Sequence, residues 1–411
     1  MEKSIKLNLE SSPSKQNTWG VWRTSIFIAL FLLSPKIGFF DITIIVLLAS
    51  LLIARVRPTI ITQYLGVVLI IFSLIVVLVG ASGLINQHLN VEWLAKPIRN
   101  IIIIYSFFLL SKKISSLEVL FFSIGIAGAI NSFVVLLQYI AFIYGYDDII
   151  RLYPVGETGG SFRMVGLSSG YPSSALLSAM AASIFLVNYY LTLDKIKLIL
   201  LIICLPGCLL SARTGLILFV CVYAILIIYS FVKKNLVFFL SNAALILLVI
   251  AFGIYLAIYN EVYFNTIYIM FEFLFVYFDE GRIGIRSSDD LMENHYFFPQ
   301  NITEWIIGNS QSVNVLGGIQ SDVWITQNLN SSGIFVVLAY ICVFLTMWYM
   351  SVRATKGANK FLVYVVFSFV FISSFKGSFL FSRFVGDAAT IVGVYTISRQ
   401  KIGKFRQHLN W

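Results

Sequence analysis

Apolar runs of about twenty residues recur along this chain, separated by short clusters of lysine, arginine, glycine and proline. A helix needs roughly 20 predominantly apolar residues to cross the hydrocarbon layer of a bilayer. Twelve stretches approach that length, starting close to residues 20, 38, 61, 94, 116, 171, 196, 213, 235, 331, 361 and 378. The pattern predicts an all-α polytopic membrane protein with about 12 transmembrane helices, forming one transmembrane domain over residues 1–411. A further run, "EVYFNTIYIMFEFLFVYF" (261–278), is crowded with aromatic residues. It is too polar at its start, and followed by too many acids, to be a thirteenth span, and it reads as an interfacial helix.

Composition narrows the class further. The 411 residues are 59% hydrophobic and 12% charged, with a mean hydropathy of +0.90. A soluble domain of this size needs far less apolar surface to close one core, so soluble classes are excluded. Residues 1–18 are polar, carry Lys3, Lys6 and Lys15, and contain no small-residue cleavage site. The first run is therefore expected to stay as an uncleaved span behind a cytoplasmic amino terminus.

With twelve spans, Arg55/Arg57, Lys112/Lys113, Lys195/Lys197, Lys233/Lys234, Arg353/Lys356/Lys360 and the carboxyl-terminal basic cluster all fall on the cytoplasmic side. Together with the amino-terminal lysines and Arg23, that side takes nineteen of the 29 lysines and arginines. The net charge of +10 thus records orientation under the positive-inside rule. It does not form a groove for nucleic acid. The two long connections, about 145–170 and about 259–330, then lie outside, and the second holds nine acids against two arginines. Cys204, Cys208, Cys221 and Cys342 all fall inside expected spans, where small apolar packing is their role. No internal repeat is visible.

One charge interrupts the apolar sequence from Leu198 to Val232, and it is Arg213. A guanidinium at the bilayer centre costs roughly 2.5 to 3.5 kcal/mol even on lenient insertion scales. If the seventh run travels outward and the eighth returns, the turn falls at "LLSARTG" and brings Arg213 to the outer face. There it either snorkels to headgroups, pairs with a loop carboxylate, or meets an anionic substrate. The two long outer loops carry four arginines, Arg151, Arg163, Arg282 and Arg286, and no lysine. Arginine offers a rigid fork of donors matched to carboxylate and phosphate oxygens.

Three segments together resemble the O-antigen polymerase (Wzy) family and the related O-antigen ligases. They are "RMVGLSSGYPSSALLSAMAASIFL" (163–186), the hairpin "LLSARTGLILF" (209–219) and "IIGNSQSVNVLGGIQSDVWITQNLNSSGIFVVLAY" (306–340). The resemblance implies a GT-C-type membrane glycosyltransferase of the bacterial inner (cytoplasmic) membrane, multi-pass, with its active site facing the periplasm. Such a polymerase transfers a growing glycan from undecaprenyl pyrophosphate to the non-reducing end of a lipid-linked repeat unit, in lipopolysaccharide biosynthesis. Its implied partners are undecaprenyl-pyrophosphate-linked glycans, the lipid bilayer and a chain-length regulator, with no nucleic acid. Matched by motif, the pyrophosphate-binding role falls on Arg163 and Arg213, with Arg282 and Arg286 in the large loop beside them.

The ligases carry a His-Asn pair where this chain has Ser321-Asp322, which favours a polymerase over a ligase. Asp322 and His295 are the candidate catalytic residues, because an acceptor hydroxyl whose proton leaves early needs a base. Fixed arginines would stabilise the charge that develops on the departing diphosphate. The pairs Asp147-Asp148 and Asp289-Asp290 could hold a divalent cation. The first outer loop, read as "SPKIG", offers no acid, so arginines are preferred to a metal and no cofactor is expected. The competing classes are the ligase and a polytopic transporter or lipid flippase, whose members usually show repeated halves and charges at mid-membrane sites.

Overall fold

The computed structural model describes residues 19–34, 36–37, 40–56, 61–146, 164–168, 170–232, 272, 276–278, 281, 291–311 and 321–399. Apart from a two-residue β ladder between Lys36–Ile37 (β1) and Phe40–Asp41 (β2), the regular structure described is helical. The first block contains α1 (Val21–Leu33), α2 (Ile42–Ala54), α3 (Gln63–Ile85), α4 (Val91–Ser111) and α5 (Leu117–Ile143). The second contains α6 (Tyr171–Thr192), α7 (Lys195–Leu210) and α8 (Arg213–Val232). Two short helices follow, α9 (Ile302–Ile307) and α10 (Trp324–Ser332), before α11 (Ile334–Ala354), α12 (Gly357–Ser373) and α13 (Val385–Ser398) close the chain.

Helices α3, α4, α5, α6, α8 and α11 are long and apolar enough to cross a membrane. Four shorter apolar helices, α1, α2, α12 and α13, run from 13 to 17 residues. The protein is therefore a helical, multi-pass membrane protein. Most expected run starts coincide with a helix start to within four residues. The last differs more, because residues 374–384 form irregular structure and α13 begins only at Val385. The run expected from 235 and most of 261–278 lie outside the described residues.

Local chemistry sets several helix starts. The Asn90 side chain accepts hydrogen bonds from the Glu92 and Trp93 amides at the head of α4. Ser116 accepts from the Val119 amide at α5, and Asp194 from the Ile196 amide at α7. Each satisfies amides that have no partner within the helix.

Lipid tails are as apolar as leucine, so helices in a bilayer associate through close packing and polar contacts instead of hydrophobic exclusion. The centre of this bundle follows that rule. All fourteen residues of α6 from Ser174 to Val187 are buried. A Cβ on Gly128 of α5 would stand 2.4 Å from the Ala181 Cβ, and one on Gly207 of α7 would stand 2.1 Å from the Ser178 Oγ. Asn131 donates to Ser174 Oγ (2.7 Å), Ser132 to Ser178 Oγ (2.7 Å), and Ser211 to Ser174 Oγ (3.2 Å). Cys204 and Cys208 are buried in the same seam, Cys221 and Cys342 are exposed, and all four are free.

The bundle has two chemically different ends. At one, Trp19 donates to the Lys113 carbonyl, Arg399 donates to the carbonyls of Ser111 and Ile114, and Asn359 donates to Glu118. This end gathers the connections rich in lysine and arginine. The opposite end gathers residues 34, 36–37, 40–41, 86–100, 164–168, 170–174, 210–213, 308–311, 321–333 and 375–387, joined by the contacts described next.

Candidate functional site

At this second end lies a cavity of about 840 Å³. Its wall comes from α4, the approach to α2, the start of α6, α10, α11 and the irregular stretch before α13. Trp93, Trp324, Tyr340 and Phe381 supply aromatic surface, and Asn100 and Asn328 supply amides. The Trp324 ring meets Tyr340 edge-on, with centroids 6.0 Å apart, and Tyr340 lies 5.9 Å from Phe381. A mostly apolar concavity with a few convergent polar groups is the common form of a small-molecule site.

Four charged side chains meet in and behind one wall. Arg99, nine residues into α4, donates from Nε to Asp41 and from Nη1 and Nη2 to the two carboxylate oxygens of Asp387 at 2.9 and 2.5 Å. Asp387, in the first turn of α13, is 1% exposed. Arg383 places Nη2 against the Ser34 carbonyl, 3.2 Å from Thr43 Oγ1 and 3.4 Å from Asp41. Its Nε is buried with no hydrogen-bond partner. An unmet donor in that position costs about 1 to 3 kcal/mol, so it is retained only for a reason. Arg383 is held where it is by unusual backbone: the flanking Phe381 and Phe384 have φ of 54° and 65°. Bulky residues rarely adopt the left-handed region, and such strain concentrates at functional sites.

Asp41 precedes α2 and caps it, its carboxylate accepting from the Thr43 amide at 3.0 Å. Burial alone would push its carboxyl up. The guanidinium groups of Arg99 and Arg383, with the hydrogen bonds from Arg99 and Thr43, outweigh burial and hold it below the ordinary carboxylate value. It is therefore an ion that fixes cations and a poor proton acceptor at neutral pH. The sequence pattern places the first outer loop at "SPKIG", without an acid. Because α2 starts only at Ile42, that loop runs through Asp41 and does carry one.

The cavity is roofed by residues 291–311 and 321–333. Asn86 donates to the Gly308 carbonyl (3.0 Å), Ser82 bonds Ser310 (2.8 Å), and the Trp93 indole donates to the Gln311 carbonyl (3.2 Å). These latch the roof to the α3–α4 corner. Within it, the Asn309 and Ser310 amides donate to the carbonyls of Asn330 and Ser331. Gly308 and Gly333, with φ of 77° and 80°, let α9 and the end of α10 touch backbone to backbone: a Cβ on Gly333 would stand 2.1 Å from the Ile306 carbonyl oxygen. Only glycine meets both requirements. These are the two glycines of the "IIGNS…NSSG" motif.

The roof also joins the two catalytic candidates, although 27 residues separate them. The Asp322 amide donates to His295 Nδ1 at 3.1 Å, and Ser321 Oγ donates to the His295 carbonyl at 2.7 Å. The pair stands immediately before Trp324, which lines the cavity. An imidazole that accepts at Nδ1 carries its proton on Nε2 when neutral. His295 is thereby set up to donate a hydrogen bond, and the exposed Asp322 carboxylate is the acceptor of the two.

Arg213 is the first residue of α8 and pairs through Nη2 with Glu272 at 2.6 Å. Its Nε and Nη1 are buried without partners. Gly215 brings the hairpin onto α6, since a Cβ there would lie 2.4 Å from the Ala175 carbonyl oxygen, two residues beyond cavity-lining Ser173. Met164 donates to the Leu210 carbonyl at 3.0 Å, which docks the start of the 164–168 segment on the same hairpin. Arg163, Arg151, Arg282 and Arg286 lie outside the described residues, as do Asp147-Asp148 and Asp289-Asp290. Among the described residues no group of three or more His, Cys, Asp or Glu side chains is arranged to hold a metal ion.

Sequence reasoning passed over Arg99, Asp41, Asp387 and Arg383. Like Arg213, each is a charge inside or at the edge of an expected apolar run. No family model matches the chain, and no curated protein is significantly similar to it.

Proposed function

We propose that this protein is a polysaccharide polymerase of the GT-C type: a multi-pass glycosyltransferase that extends a lipid-linked glycan at the non-cytoplasmic face of a bacterial inner membrane. The observation that carries the reading is the His295–Asp322 contact on the roof of an aromatic-walled cavity, at the bundle end opposite the basic connections. That geometry supplies separate parts for one transfer. The unpartnered Nε and Nη1 of Arg213 are donors for diphosphate oxygens, and a guanidinium fork stabilises the charge left on a departing diphosphate. His295 donates to an oxygen of the substrate, and the Asp322 carboxylate takes the proton of the attacking hydroxyl. Aromatic rings and amides in the cavity hold sugar rings, and the bilayer holds the polyprenyl chain.

The twelve-span topology with a cytoplasmic amino terminus belongs to the same proposal. So do Arg163, Arg282 and Arg286 as further diphosphate ligands and a chain-length regulator as a partner. The test is chain extension by the purified protein in liposomes, supplied with a lipid-diphosphate-linked repeat unit. Arg213→Lys keeps the charge and loses the planar two-donor fit, so activity falls at least tenfold, about 1.4 kcal/mol, at unchanged protein abundance. Full-length polymer from Arg213→Lys and from Asp322→Asn would overturn the assignment.

A second reading draws on the Arg99–Asp387 pair. Ion pairs buried between membrane helices often line the path of a transported ion or substrate. A transporter or flippase would move its cargo across vesicles lacking any acceptor glycan, and would form no new glycosidic bond.

A further inference from the structure

The roof turns an apolar face outward. Within α9, Ile302, Trp305 and Ile306 recur at the i, i+3, i+4 spacing that sets side chains on one side of a helix. All three are exposed, Ile302 to 78%. Phe298, also exposed, extends the stripe: its ring stacks on Trp305 with centroids 5.8 Å apart and planes 9° from parallel. Glu304, the one charged residue in the α9 sequence, falls about 200° around the helix from Ile302, on the other face. There its carboxylate accepts from the Gln300 amide at 3.4 Å.

The contacts of α9 fix the level at which this stripe sits. The Gly308 carbonyl, just past its last residue, accepts from Asn86, which ends α3. The Ile306 carbonyl is pressed against Gly333, the residue before α11. Both α3 and α11 are long and apolar enough to cross a membrane. Close to these same ends they expose Leu84 and Ile85 on α3, and Phe335 and Leu338 on α11, and none of the four lines the cavity. Exposed apolar side chains on a spanning helix face lipid. The α9 stripe is therefore continuous with the lipid-facing surface at the point where that surface reaches the membrane boundary.

We propose that α9 is an interfacial anchor of the roof: Phe298, Ile302, Trp305 and Ile306 seat in the headgroup–acyl boundary of the leaflet at the cavity end of the bundle. The partner of this face is phospholipid. An apolar patch left in water is a liability, whereas this depth suits an indole, whose ring is apolar and whose N–H can stay wet. The stripe carries no charge, so a zwitterionic lipid is sufficient. Lipid thereby supports the roof beside the Asn86, Ser82 and Trp93 latch. The anchor needs only the multi-pass membrane fold and is independent of the polymerase reading, on which chain-extension assays alone bear.

The test measures nitroxide collisions on the full chain in phosphatidylcholine nanodiscs. Exposed Cys221 and Cys342 are replaced by alanine, and buried Cys204 and Cys208 stay unlabelled. Labels are placed singly through Ile302→Cys, Ile306→Cys and Thr303→Cys, with Leu338→Cys as the lipid-facing reference. Oxygen concentrates in hydrocarbon and a nickel chelate stays in water. The oxygen-to-nickel collision ratio is expected to be at least about threefold higher at 302 and 306 than at 303, which lies off the stripe. Ile302→Glu should lift α9 and bring the ratio at 306 down to that at 303, while an unchanged ratio at 338 shows that the bundle is folded and inserted. Nickel-dominated collisions at 302 and 306 would place the face in water. Protection from both reagents would place it under another protein or a second copy of the chain. Either result would overturn the proposal, as would a ratio at 306 that Ile302→Glu leaves unchanged.

Discussion

Replacing either partner of the Arg99–Asp387 pair should destabilise the protein more than replacing both. The four-residue cluster of Arg99, Arg383, Asp41 and Asp387 is neutral, and its side chains are between 2% and 16% exposed. Asp387→Asn keeps the shape but leaves two guanidinium groups sharing Asp41. Arg99→Met leaves two carboxylates sharing Arg383, one of them 1% exposed. An uncompensated charge of this kind costs about 3 to 5 kcal/mol. The double variant returns the cluster to neutrality, because Asp41 keeps Arg383 at 3.4 Å. Loss of a buried pair as a whole is often close to neutral, but the amide introduced at position 387 is left buried without Arg99, so the expected cost is about 1 to 3 kcal/mol. The coupling energy from the double-mutant cycle is then at least about 3 kcal/mol, at the top of the usual range for side chains that share a network. Equilibrium unfolding in mixed micelles, followed by tryptophan fluorescence, measures all four species. A double variant as unstable as the sum of its single variants would refute the claim that these charges balance each other.

Two other outcomes follow from the same geometry. Gly333→Ala puts a methyl group 2.1 Å from the Ile306 carbonyl oxygen at a φ of 80°, so the end of α10 must separate from α9. The expected result is loss of cavity function and faster proteolysis within 291–333, and wild-type proteolysis would count against the roof contact. Reporter fusions at Lys112, Lys233 and Arg353 should all read cytoplasmic, since those positions belong to the basic connections; a periplasmic signal at any of them would reverse the proposed orientation.

How much of this was legible in the sequence depends on the range of the interaction involved. Helix positions such as 63–85 and 171–192 could be read directly, because the requirement for an apolar run of bilayer length acts on consecutive residues. The importance of Arg213 was also local, one charge in an apolar run. The motif glycines Gly308 and Gly333 stood out as letters, but their reason, backbone contact between α9 and α10, did not.

Tertiary structure decided what the charges meet. Asp41, Arg99 and the Arg383/Asp387 pair come from three separated stretches, and nothing in their spacing announces that they converge. The same holds for His295 and Asp322, which the roof joins across 27 residues. Arg213 meets a carboxylate, Glu272, through Nη2 and keeps buried, unpartnered donors at Nε and Nη1, a division that no local pattern encodes. The physical reason is that a bilayer imposes one strong rule along the chain, apolar length, and leaves the pairing of helices to small residues and polar contacts whose partners lie far away in sequence. A chain like this one therefore displays its transmembrane elements in single letters and runs, while its site exists only where those elements pack.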